Sequence, residues 1–131
     1  MILILDDDPA RHRAFRKGLT GSQKVHVHRA DEAIAALTYQ GPWSVILLDH
    51  DLCDHGDDTA GNGMQVAKWI SGRTRYFKSS LIVVHSINPV RGPEMVALLK
   101  SAGLNVAGQP DFFWTDTAAL ERLVALDQAR S

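Results

Sequence analysis

Three polar clusters each follow a short apolar run: Asp6-Asp7-Asp8 after Ile2–Leu5, Asp49-His50-Asp51 after Val45–Leu48, and His85-Ser86 after Leu81–Val84. Carboxylates gathered in one place repel one another unless a cation lies among them. Oxygen donors carried on loops suit a hard divalent ion such as Mg²⁺ or Mn²⁺. An imidazole beside such an ion can take or give a proton near neutral pH. Hydroxyl and amide groups such as Ser86 and Asn88 can donate hydrogen bonds where negative charge develops. The competing reading is a set of solvated loop carboxylates at strand ends.

The elements around these clusters decide whether they meet. Ile2–Leu5, Val45–Leu48 and Leu81–Val84 are continuous apolar runs, the pattern of strands buried on both faces of a parallel sheet. Val25–His28 alternates as a half-exposed edge strand does, and Leu104–Ala107 is the candidate fifth strand. Asp8-Pro9 is a helix start, followed by Ala14, Phe15 and Leu19 on one face. Ala33, Ile34 and Leu37 mark a second helix, and Val66, Trp69 and Ile70 a third. Met95, Leu98 and Leu99 mark a fourth, and Leu120, Leu123 and Val124 a fifth capped at Asp116. Strict strand–helix alternation requires crossovers, hence a parallel sheet with helices on both faces. Ligands of such sheets bind outside the carboxyl ends of the strands, where all three polar clusters fall.

The 131 residues suit one domain, expected to span 1–131 with residues 127–131 as a frayed tail. A net charge of −1 supplies no basic field for a nucleic-acid polymer or an anionic membrane. The apolar start is too short for a signal peptide, and no apolar run suits a membrane span, so a cytoplasmic domain is expected. The single cysteine, Cys53, is read as a free thiol in a reducing compartment. His26 and His28 share a strand face whose spacing could grip a metal, with a solvated edge the favoured reading. His12 is expected on the surface, and His55 in a long polar loop with Asp54, Asp57 and Asp58. Phe112, Phe113 and Trp114 either stack on a ligand's base or pack under the last helix.

The segments "ILILDDDPARHR", "WSVILLDHDL", "NGMQVAKWI" and "GLNVAGQP" resemble, in order, the landmarks of the receiver domains of two-component signalling. The resemblance implies a three-layer, doubly wound α/β fold with strand order 2-1-3-4-5. It implies Mg²⁺ held by Asp6 and Asp7, with Asp49 as the phospho-accepting position and Asp51 supplying a further metal ligand through its backbone. Two landmarks differ. Gln109 stands where receivers place a lysine that pairs with the phosphoryl group, and His85 stands where they place a small hydroxyl residue. If the alignment of Gln109 holds, the Gln109–Pro110 peptide bond is expected to be cis. "LDHDL" together with "VVHSINP", carrying His50, His85, Ser86 and Asn88, is similar to a divergent group, the cyclic-phosphate processing receiver domains.

That resemblance implies action on, or sensing of, a small phosphorylated ligand: a cyclic nucleotide or an RNA cyclic-phosphate end. The expected metal set is Asp6, Asp7, Asp49 and Asp51. The catalytic set is His85, Asp49 and His50, with His85 or His50 as acid or base. The phosphate-binding set is Ser86, Asn88 and Gln109. A water oriented by the cation is favoured over attack by Asp49, because a cyclic diester is a poor phosphodonor to a carboxylate. Two other functions compete: a phospho-accepting switch using Asp49, and a pseudo-receiver serving only as an interaction surface. A monomer or weak dimer is expected.

Overall fold

The computed structural model describes residues 1–52, 58–108 and 113–130, with Asp58 described by its backbone alone. Strands β1 (Ile2–Leu5), β2 (Lys24–Val27), β3 (Val45–Leu48), β4 (Leu81–Val84) and β5 (Asn105–Gly108) alternate with helices α1 (Pro9–Gly18), α2 (Ala30–Tyr39), α3 (Gly63–Ser71), α4 (Arg91–Ser101) and α5 (Thr117–Ala129). All neighbouring strands pair in parallel, in the order β2-β1-β3-β4-β5. This is the doubly wound receiver fold. β2 and β5 each begin within one residue of the expected position.

Alternation along the strands sends successive side chains to opposite faces. Leu3, Leu5, Ile46, Leu48, Ile82 and Val84 pack with residues of α2, α3 and α4. Ile2, Ile4, Val45, Leu47 and Val83 pack with Phe15, Leu120 and Leu123 from α1 and α5. Burying each such side chain contributes about 1.5–3 kcal/mol, enough for these two layers to fix the register of every strand end.

Local signals set the helix starts. The Asp8 carboxylate accepts from the Ala10 N–H at 2.8 Å with Pro9 at the first helical position, and Asp116 accepts from Ala119 at 3.0 Å. α3 opens with a reciprocal capping box between Asn62 and Gln65. α5 is helical through Ala129. Asp127, expected in a frayed tail, is instead buried and accepts from the Met1 amino group and the Ser44 hydroxyl. A buried carboxylate with two donors holds the end of the helix down. The cis peptide bond among the described residues is Gly41–Pro42, while Gln109–Pro110 lies outside them. No helix among the described residues is long and apolar enough to cross a membrane.

Candidate metal and phosphoryl site

Strand parity sorts the polar clusters before any contact is considered. Asp6 continues the Ile2 and Ile4 face, Asp49 continues Val45 and Leu47, and His85 continues Leu81 and Val83, so all three turn toward α1 and α5. His50 continues Ile46 and Leu48, and Ser86 continues Ile82 and Val84, so these turn toward α3 and α4. The carboxyl edge of the sheet thus carries two adjoining halves.

On the first half, donor oxygens of Asp6, Asp7 and Asp49 all lie within 4.8 Å of one another. Asp6 and Asp49 are buried. Arg11 sits among them, in the first turn of α1. Its Nε is 3.1 Å from Asp6 Oδ1, and its Nη2 is 3.4 Å from Asp7 Oδ1 and 3.6 Å from Asp49 Oδ2. The guanidinium also lies 5.0 Å from the centre of the Trp114 ring. Sequence reasoning passed over Arg11. The available signal was its i,i+4 spacing from Asp7 across a helix start.

One guanidinium does not neutralise three carboxylates. Burial, with the neighbouring Asp6 charge second, pushes Asp49 up to about 8. Burial pushes Asp6 up to about 6, against the Asp8 backbone N–H and Arg11, which both favour its ionised form. Asp6 Oδ2 and Asp49 Oδ2 are buried and make no hydrogen bond among the described residues. Hard oxygen donors, surplus negative charge and two buried lone-pair-bearing oxygens fit a divalent ion of the Mg²⁺ class.

His85 lies behind this pocket. It is 1% exposed, its Nδ1 is 3.7 Å from Asp6 Oδ2, and Phe15 meets its ring edge-on with centroids 5.2 Å apart. Burial first, and the Arg11 charge second, hold it down at about 3. The titration near neutral pH expected of His85 is therefore not what its surroundings allow. Burial among apolar groups disfavours the imidazolium form.

On the second half, His50 Nδ1 is 2.7 Å from Asp51 Oδ1, and Asn88 Nδ2 reaches the Asp51 carboxylate at 3.3 and 3.4 Å. The exposed Asp51 carboxylate thus turns to His50 and Asn88, which leaves its backbone carbonyl as the group expected to serve a metal. The Asn88 Oδ1 accepts from the Val90 and Arg91 N–H groups at the start of α4, and the Ser86 Oγ accepts from the Asn88 N–H at 3.1 Å. His50 borders a cavity of about 600 Å³ shared with Asn62, Gln65, Lys68 and Arg91. Lys68 and Arg91 were not singled out by sequence, because they reach this cavity from two separate helices.

Gly63 joins the two halves. Its N–H donates to the His50 carbonyl at 2.9 Å, and a Cβ built on it would overlap the Asp49 carbonyl oxygen. Only glycine lets α3 start this close to β3. Asp51 also bridges to Asn62 across the intervening loop.

Of the remaining expectations, Phe113 packs in the core 6.2 Å from Phe15, whereas Trp114 is half-buried beneath Arg11. His12, expected on the surface, is buried against β2, because α1 lies across that edge of the sheet. Gln109, Pro110, Phe112, Cys53, Asp54, His55 and Asp57 lie outside the described residues, as does the Asp58 side chain.

Comparison with known proteins agrees with the fold. The solved receiver protein of a Pseudomonas putida response regulator superposes with a TM-score of 0.66 at 21% identity, over 95% of this chain and 93% of that one. A solved structure described as adenylate cyclase from Rhodopirellula baltica gives 0.65 at 18% identity, over 98% and 90%. The receiver domain of the Francisella response regulator 1452 gives 0.64 at 15% identity, over 99% and 98%. At these identities the likeness is one of fold. No curated protein is significantly similar to the chain. A family model described as the cyclic-phosphate processing receiver domain matches residues 1–101, a span that contains both halves of the edge site as far as Arg91. The chain belongs to the cyclic-phosphate processing receiver domain family.

Proposed function

We propose that this domain holds a divalent cation at Asp6, Asp7 and Asp49 and acts on a cyclic phosphate, as a cyclic nucleotide or an RNA end, by phosphoester hydrolysis. The observation that carries the cation part is the pair of buried carboxylate oxygens without hydrogen-bond partners among the described residues, Asp6 Oδ2 and Asp49 Oδ2. A hard ion bound there would neutralise the carboxylates and polarise a phosphoryl oxygen. The family's cyclic-phosphate description supports the substrate class.

The chain's own groups have separable tasks in this reading. Arg11, anchored over Trp114, offers guanidinium hydrogen bonds to phosphoryl oxygens in place of the receiver lysine. His50 moves the proton. Its Nδ1 is tied to Asp51, which Asn88 holds, and this leaves Nε2 to take a proton from water or give one to the leaving oxygen. His85 lies behind Asp6, its Nδ1 3.7 Å from Asp6 Oδ2, where burial disfavours its charged form. Ser86 and Gln109 are kept as phosphate-binding residues.

The test is hydrolysis of 2′,3′- and 3′,5′-cyclic nucleotides with Mg²⁺ or Mn²⁺, alongside incubation with acetyl phosphate. Turnover is expected, and His50→Gln should lower it by about 10²–10⁴-fold, the usual contribution of a positioned acid or base. Stable phosphorylation of Asp49 without turnover would establish the switch instead. No turnover, no phosphorylation and no divalent-ion effect on Tm would leave an interaction module.

A further inference from the structure

Three imidazoles meet away from the acidic pocket, in the seam between α1 and the edge strand β2. Val25 and Val27 pack toward the α2 side, so His26 and His28 turn toward α1, which brings His12 onto them. His12 Nε2 lies 2.7 Å from the Asp6 backbone carbonyl, and His12 Nδ1 lies 2.7 Å from His26 Nδ1. The His28 ring centre is 4.3 Å from that of His12.

These contacts assign the hydrogens. A carbonyl oxygen only accepts, so His12 Nε2 carries the hydrogen and donates it. Neutral His12 then presents a lone pair at Nδ1, and His26 Nδ1 donates to it. His26 Nε2 is left buried without a hydrogen-bond partner among the described residues. An imidazole with one nitrogen tied to a backbone carbonyl and the other offered outward is arranged as metal-binding histidines are, since the tie fixes tautomer and ring orientation. Burial holds His26 down at about 4, so at neutral pH its ring is uncharged and able to ligate.

We propose that His12, His26 and His28 form a second metal site, for a borderline dication such as Zn²⁺ or Cu²⁺, separate from the oxygen-lined pocket. Nitrogen donors favour these ions over Mg²⁺. The ion takes the place of the hydrogen between the two Nδ1 atoms, and that hydrogen moves to His26 Nε2. The ring stays neutral, and no net proton leaves the protein. Two imidazole nitrogens on one tetrahedral ion sit about 3.3 Å apart, so the rings part by a fraction of an ångström from their present contact. His28 is exposed and turns in as the third ligand. Arg16 and Lys24 place positive charge near His26, which sets the affinity below that of a closed structural site. The site does not depend on the phosphoryl reading, and its failure would leave that reading standing.

The experiment uses the full chain carrying Asp49→Asn, which removes one ligand from the acidic pocket. Zn²⁺ binding is followed by calorimetry, and Cu²⁺ coordination by electron paramagnetic resonance. Saturable Zn²⁺ binding is expected, weakened by about tenfold or more in His26→Gln and in His28→Gln, a loss seen even when groups that merely support a ligand are removed. Cu²⁺ should show nitrogen couplings from more than one imidazole, a readout that needs no histidine variant to fold. Absence of Zn²⁺ binding, equal binding in both variants, or a Cu²⁺ spectrum with oxygen ligands only would each overturn the site.

Discussion

At the scale of single residues, the acidic pocket is governed by the mismatch between one guanidinium and three carboxylates. Asp49 bears the largest share, because it is buried beside the Asp6 charge and lies farther from Arg11 than Asp6 does, 3.6 Å against 3.1 Å. Its carboxyl already holds a proton near neutral pH, so the neutral isostere should fit. Asp49→Asn is therefore expected to leave metal-free Tm at pH 7 unchanged or higher, while removing most of the Tm increase that Mg²⁺ gives the unmodified protein. Thermal denaturation with and without Mg²⁺ reads both effects. A large loss of metal-free stability would show that Asp49 is ionised and paired with Arg11 instead.

At the scale of elements, the site depends on how closely α3 approaches the end of β3. The Asn62 capping box starts the helix, and Gly63 lets its first turn lie against the Asp49 and His50 backbone. Gly63→Ala must push the helix or the strand end aside. Overpacking of this kind costs about 1–3 kcal/mol, which should appear as a lower midpoint in urea unfolding with little change in slope. The same displacement moves Asp49 and His50 together, so Mg²⁺ response and turnover should both fall in the folded variant. A variant with normal stability would contradict the contact between Gly63 and β3.

At the scale of the molecule, buried carboxyls and buried imidazoles pull stability in opposite directions as pH changes. Asp6 and Asp49 have folded pKa values near 6 and near 8, raised from 3.8, so the folded state binds their protons more tightly than the unfolded chain does. Their stabilising contribution is complete below the unfolded value and is lost as pH rises through about 8. His85 and His26 are shifted the other way, to about 3 and about 4 from 6.5, so acid favours the unfolded chain, which takes up their protons first. Between about pH 4 and 6 the two pairs oppose and nearly cancel, so metal-free Tm should stay nearly level there and fall as pH rises from about 6.5 to about 8. Mg²⁺ should raise Tm more at pH 8 than at pH 6, because at lower pH it must displace protons from Asp49. A Mg²⁺ effect independent of pH would exclude these carboxylates as its ligands.

Much of this protein follows from local pattern alone. Continuous apolar runs of four residues mark β1, β3 and β4 to the residue, since a strand buried on both faces has no polar alternation. Asp8-Pro9 and Asp116 mark helix starts because capping is a contact across two or three residues. The polar residues at the strand ends, Asp6, Asp49, His50 and His85, were legible for the same reason. The tertiary structure decided which of them share a face and what surrounds each one. Strand parity parts His50 from Asp49, Asp51 meets His50 and Asn88 beyond the end of the strand, and parity buries His85 behind Asp6, where desolvation outweighs its ordinary basicity. Arg11 enters the acidic pocket, and His12 meets His26 and His28, only because α1 crosses the sheet over β1 and β2. Such juxtapositions join residues from different elements, and their energies depend on burial, which no window of sequence contains.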